Sequence, residues 1–245
     1  MLTYDGREAV VSAGSEEVLT GAIAKLVRRT PRVVYFVTGH RERGLVPGKD
    51  DGYGRIAGLL RDEGLEVRTL ALLGAPGVPA DASAVVVAGP EVELVEAELA
   101  KLGAWLDAGG AVLVLVDPVE LPALAGWLAA RGIRLRDDVV VDGSNRVYGS
   151  DGTSVVVPFW REHEATASLD VPAVLGRARS VALVSGREED PDVGSTVLAR
   201  TARESFAAAG AARTRAGEVV FREGSDEPGP VPVMAAAFVG PDRAR

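Results

Sequence analysis

Three short apolar runs constrain this chain more than any other feature: Arg32–Val37, Ala84–Ala88 and Val112–Val116. None shows the polar alternation of a strand with one wet face, so each reads as a strand covered on both sides. Each also ends abruptly, at Thr38-Gly39, Gly89-Pro90 and Asp117-Pro118. Between them lie helical patterns. Val95, Leu99, Leu102 and Leu106 recur at spacings of four, three and four, one face of a helix that Gly109-Gly110 stops. Further helices are expected near Tyr53–Glu63, closed by Gly64, and over Leu121–Arg131, with Pro122 in the first turn and Gly132 at the end. Leu65–Leu70 reads as another strand. Such alternation specifies βαβ units with right-handed crossovers. The expected fold class is α/β: an open, mainly parallel sheet over residues 31 to about 141, helices on both faces.

The flanks are assigned around that core. Residues 1–30 are expected to pack on it as strands and a helix. The helix is capped by Ser15, carries Val18, Leu19, Ala22, Ile23, Leu26 and Val27 on its apolar side, and ends at Thr30-Pro31. Residues 31–142 form the α/β core, and 143–245 a C-terminal extension of the same domain that adds strands to the sheet edge. There, turn chemistry (Gly143-Ser144-Asn145, Tyr148-Gly149-Ser150, Asp151-Gly152-Thr153) precedes candidate strands at Val155–Val157, Val181–Val184, Glu218–Phe221 and Val233–Phe238. Ser195–Ala208 reads as helix or turn, and Glu188–Asp192 and Glu223–Pro230 as exposed loops.

Charge and composition exclude several classes of function. The 245 residues carry a net charge of −8, and no segment gathers Lys and Arg into a stripe, so nucleic acid is not an expected partner. There is no Cys, which removes thiol nucleophiles, thiolate metal sites and disulfides together. No run approaches the roughly 18 apolar residues of a spanning helix, and Met1–Arg7 has no signal-peptide pattern.

The chemistry-bearing motifs are few. Gly52-Tyr53-Gly54-Arg55-Ile56-Ala57 has the spacing of a dinucleotide fingerprint, but the preceding strand ends near Val37, a whole loop earlier. The fingerprint needs its glycines directly after a strand, so no cofactor is expected. Thr38-Gly39-His40-Arg41-Glu42-Arg43 sits at the carboxyl end of the first sheet strand, where open α/β sheets collect ligands. His40 and Glu42 suit acid–base work or a ligand contact; equally, the segment reads as a surface loop with paired charges. Asp117, closing another strand, is either a site carboxylate or the acceptor of an Asp-Pro turn. The only other histidine, His163, has no ligand-type spacing to His40, so no metal is expected. Trp105 and Trp127 read as core, whereas Trp160 beside Phe159 reads as a surface aromatic.

The segment Val33–His40 with Glu42, together with Asp51-Gly52-Tyr53, Gly77–Ala82, Val86–Pro90, Leu106–Gly110 and Leu115–Pro118, resembles the gliding-motility-type (GldG-like) ABC transport auxiliary family. Val139–Asp142 and His163–Thr166 fit it more loosely. The resemblance implies an amidotransferase-like or flavodoxin-like sheet, similar to class I glutamine amidotransferases without their Cys and to the amino-terminal domain of an intraflagellar transport protein. It implies a domain held outside the cytoplasmic membrane between transmembrane helices, with ABC transporter membrane subunits as partners and a small molecule or glycan as a further ligand. The family's pattern continues with a Gly-Asp-Ser-Asp strand past Asp242–Arg245, so this chain is expected to be an excised soluble region.

The expected function is a non-enzymatic, extracytoplasmic accessory domain. Thr38, Gly39, His40, Glu42 and Asp117 are its candidate ligand- or partner-binding residues. The alternative is an amidotransferase-fold enzyme or sugar-binding domain acting on a small molecule through His40 and Glu42, and a third option is an architectural domain that only packs its neighbours.

Overall fold

The computed structural model describes residues 1–9, 16–27, 32–46, 52–143, 152–184, 193–210 and 220–239. Ser15, Thr30-Pro31, Asn145, Tyr148–Ser150 and Glu188–Asp192 lie outside these. The chain divides into two compact units, Met1–Leu115 and Val116–Arg245.

The first unit opens with an antiparallel hairpin, β1 (Leu2–Tyr4) and β2 (Arg7–Ala9). Its two-residue turn, Asp5-Gly6, has φ of 50° and 74°, the left-handed pair that an Asp-Gly turn supplies. Helix α1 (Glu16–Val27) buries Leu26 but leaves Leu19, Ile23 and Val27 exposed, so its apolar stripe is only partly covered. It meets the end of α2 (Gly54–Asp62) at Gly21, where a Cβ would lie 1.9 Å from the Asp62 carbonyl oxygen.

The sheet that follows is wholly parallel: β3 (Val33–Val37), β4 (Glu66–Leu70), β5 (Ala82–Ala88) and β6 (Val112–Leu115), in the order β4-β3-β5-β6. All five residues of β3 are buried, as an interior strand covered on both faces requires. β4 and β6 are the edges, and β4 accordingly carries Glu66, Arg68 and Thr69. Val34, Phe36, Val86 and Ala88 form one cluster, packed by Tyr53 and Leu60 of the α2 region; their neighbours in sequence point the other way. The chain leaves β3 towards β4 and then crosses to β5 on the other side. The β3–β5 boundary is therefore the point where strand order reverses, the place where open α/β sheets bind ligands outside their carboxyl ends. Helix α3 (Glu96–Asp107) connects β5 to β6.

The second unit is mostly antiparallel. After α4 (Pro122–Ala129) come β7 (Ile133–Leu135), β8 (Asp138–Asp142), β9 (Ser154–Val157), β10 (Phe159–Trp160), β11 (Ala173–Gly176), β12 (Val181–Leu183), β13 (Val193–Arg200), β14 (Ser205–Ala209), β15 (Glu227–Pro228) and β16 (Pro232–Val239). They pair as β7 with β12, β9 with β11, β8-β14-β15 and β10-β13-β16. Among the described residues these strands form sheets of their own instead of extending the four-stranded one. The parallel sheet therefore stops at β6, short of the expected limit near residue 141. The residues near that limit belong to β8, which is buried throughout, with Val140 in one core cluster and Val141 in another, and pairs antiparallel with β14. Burial on both faces produces that pattern whichever way the neighbouring strand runs.

Ser195–Ala208, read as helix or turn, is a second correction: it lies in β13 and β14, with a turn only at Arg203-Glu204 between them. Ala207 and Ala208 pair with Val140 and Val139 of β8 at 2% and 0% exposure, and this pairing overrides the helical preference of alanine. Trp105 and Trp127 are half-buried instead of core, and Trp160, also half-buried, donates its Nε1 proton to the Val171 carbonyl at 2.8 Å.

Candidate functional site

The loop leaving β3 is built backwards over the sheet's carboxyl end. The Thr38 amide donates to the Leu70 carbonyl at 3.0 Å, continuing the β3–β4 ladder by one residue. Gly39 (φ +127°) and Arg41 (φ +60°) take positive φ, and between them His40 turns inward. The chain is then tied across to β5, where the Arg43 amide donates to the Ala88 carbonyl at 3.0 Å. The Arg43 side chain runs over Gly89, where a Cβ would come within 3.2 Å of its Nε.

His40 is the centre of this construction. It is 6% exposed, and both ring nitrogens are engaged: Nδ1 lies 2.9 Å from Glu42 Oε1, and Nε2 lies 2.8 Å from Glu98 Oε2. Glu42 folds back so that its other oxygen accepts the His40 backbone N–H at 2.8 Å. Glu98, 1% exposed in the first turn of α3, also accepts the Val95 N–H at 3.1 Å, a bond that satisfies a helix-terminal donor. The His40 carbonyl accepts the N–H groups of Glu91 and Val92 at 2.9 and 3.1 Å. One residue thus joins the loop after β3, the loop after β5 and the start of α3.

Burial alone disfavours a charged imidazole, but hydrogen bonds to Glu42 and Glu98, and then their negative charges, outweigh it and hold the His40 pKa above its ordinary value. The favoured species is an imidazolium donating to two carboxylates, which leaves neither ring nitrogen open to a substrate or a metal. Among the described residues, no three His, Asp or Glu side chains are placed to hold a metal ion. His163 is occupied elsewhere, its Nδ1 accepting the Ala165 N–H at 3.0 Å.

Helix α3 anchors a third loop. Lys101 donates from Nζ to the Leu72 carbonyl at 2.7 Å, fixing the segment after β4 and leaving Leu73 71% exposed. Glu98 and Lys101, one turn apart, together set the rim whose exposed residues include Gly39, Arg41, Leu73, Val92 and Val95.

Of the residues singled out in the sequence, Thr38, Gly39, His40 and Glu42 lie in this loop. Asp117 falls in the second unit, half-buried, where its carbonyl accepts the Val119 N–H at 2.7 Å in a tight turn. Arg179 closes that turn, donating to the Val119 and Arg136 carbonyls. Glu98 was not anticipated. A Glu three residues after the helix boundary is a capping signal, but nothing local announces a partner 58 residues away.

Residues 31–150 match the model of the ABC transport auxiliary family, described as an ABC-type uncharacterized transport system. By that match this stretch, which contains the whole parallel sheet and its rim, resembles an accessory component of an ABC-type transport system. No curated protein matches the chain. Among solved structures, the mmIFT52 N-terminal domain is similar at 16% identity and a TM-score of 0.54, over 71% of this chain and 78% of that one. A thua-like protein from Bacteroides uniformis ATCC 8492 gives 14% identity and a TM-score of 0.39, over 72% and 70%. The first of these is a likeness of fold alone. No helix among the described residues is long and apolar enough to cross a membrane.

Proposed function

We propose that this chain is an accessory component of an ABC-type transport complex, of the gliding-motility (GldG-like) kind, that acts by recognition and not by catalysis. Its sheet, wrapped by helices in an amidotransferase-like arrangement, holds the rim at the carboxyl ends of β3, β4 and β5. There it meets a membrane subunit of the transporter, or a ligand presented by it, on the outer face of the membrane. The family match over residues 31–150 carries this reading. The engagement of both His40 nitrogens favours recognition over proton transfer, because a general base needs a lone pair within reach of its substrate. Rigid loops at a strand-order reversal are a common place for such contacts.

The test uses exposed rim residues and leaves the buried bridge intact. The full-length protein is co-expressed with its cognate membrane subunits, and capture is compared for wild type and an Arg41→Glu/Leu73→Asp variant. A fall of about tenfold, equivalent to ~1.4 kcal/mol of binding, is expected. Undiminished capture by a folded variant would remove the rim as the contact.

A further inference from the structure

We propose that the His40 bridge is a proton-operated latch: the protonated ring ties the loop after β3 to α3, and loss of one proton lets residues 39–43 come away from the helix. Proton counting supports this. Two carboxylates accept from one ring at 2.9 and 2.8 Å, and only a ring carrying both N–H groups donates to both. A neutral ring would set a lone pair against a carboxylate oxygen inside a site where Glu98 is 1% exposed.

The loop has reason to move when the bridge fails. Arg41 holds a left-handed backbone that a residue with a Cβ adopts only when its surroundings enforce it. The amides of Glu91 and Val92 bond to the carbonyl of His40 itself, so displacing this residue disturbs the loop after β5 as well. The carboxylates facing the ring are Glu42 from its own loop and Glu98 from α3. The other charged residues on the elements packed there are Arg41 and Arg43 on the first loop, Glu91 and Glu93 on the second, and Glu96, Lys101 and Asp107 on α3.

The raised pKa of His40 gives the direction. A histidine whose folded pKa exceeds its free value contributes stability that is complete below the free value. That stability is lost as pH rises through the folded one. The latch is closed at and below the ordinary imidazole pKa of 6.5 and opens on the alkaline side. This assigns a regulation to the recognition rim and rests on that reading for its biological consequence, but not for its physics.

Hydrogen exchange on the full chain tests it, expressed as protection relative to unstructured peptides so that the intrinsic pH dependence cancels. From about pH 6 to about pH 9, protection at the Glu91, Val92 and Arg43 amides should fall by up to about tenfold per pH unit above the free histidine value, then level off. Amides inside β5 and β6 should hold. Glu98→Gln, which removes one charge and keeps the side-chain shape, should move the step to lower pH; His40→Gln should abolish it. A flat wild-type profile, or a step that stays in place in Glu98→Gln, overturns the latch. Capture of the membrane subunits at about pH 6, with the latch closed, separates the two ideas. An exchange step without rim-dependent capture keeps the latch and removes the recognition reading, and rim-dependent capture with a flat profile does the reverse.

Discussion

Truncating Glu98 to alanine isolates what the buried bridge contributes to stability. The substitution deletes the acceptor of His40 Nε2 and the acceptor of the Val95 amide together. Removing one partner of a buried, hydrogen-bonded charge pair typically costs ~3–5 kcal/mol, and loss of a helix-terminal acceptor costs ~1 kcal/mol. The ring has a partial escape, because it can release a proton and stay bonded to Glu42, so the expected total is ~3 kcal/mol, near the lower end of that range. A urea m-value of ~1–3 kcal/mol per molar turns this into a midpoint shift of ~1–3 M. Trp105 lies on α3, the helix that carries Glu98, and Trp127 and Trp160 belong to the second unit. Fluorescence of a Trp127→Phe/Trp160→Phe background therefore reports the first unit alone. The loss should be larger at about pH 6 than at about pH 9, since the bridge is complete only while His40 is protonated. A loss below ~0.5 kcal/mol, the size of an ordinary surface substitution, or an equal loss at both pH values would refute the reasoning.

Two further substitutions test the packing. Gly21→Ala should raise helix propensity by ~1 kcal/mol, yet it drives a Cβ to 1.9 Å from the Asp62 carbonyl oxygen. Overpacking of ~1–3 kcal/mol or more should win, lowering the melting temperature, and a stabilised variant would show that α1 and α2 separate easily. In the second unit, Asp138→Ala leaves the Ser180 amide and hydroxyl without the carboxylate they reach at 2.7 and 2.5 Å. Chemical denaturation should show a loss of ~2–4 kcal/mol for these buried donors, and a neutral result would mean that water or another acceptor replaces it.

The parallel sheet was readable because its physics is local. The apolar runs Arg32–Val37, Ala84–Ala88 and Val112–Val116 match β3, β5 and β6 to within two residues at either end, and the breaker after the first marks the carboxyl end where His40 and Glu42 emerge. What escaped is set by contacts between distant segments. β8 pairs antiparallel with β14 although its own residues carry the signature of any strand covered on both faces. β14 is alanine-rich and is held as a strand by pairing with β8 on one side and β15 on the other. Trp105 and Trp127 sit at helical spacing but are only partly covered, since spacing tells which residues share a face and not how deeply that face is covered. For the site, proximity in sequence paired His40 with Glu42, while Glu98 reaches the ring only because the chain crosses from β3 to β5 before starting α3.

The placement of Glu98 and Lys101 on a single helix also bears on the energetics of any encounter. Segments following neighbouring strands usually fluctuate independently, and a visitor that touches two of them must freeze both. Here one rigid rod holds the turns after β3 and β4, and the turn after β5 runs straight into it. The entropy of aligning them is settled when the protein folds, so a visitor meets a ready-made template and keeps more of its contact energy as affinity.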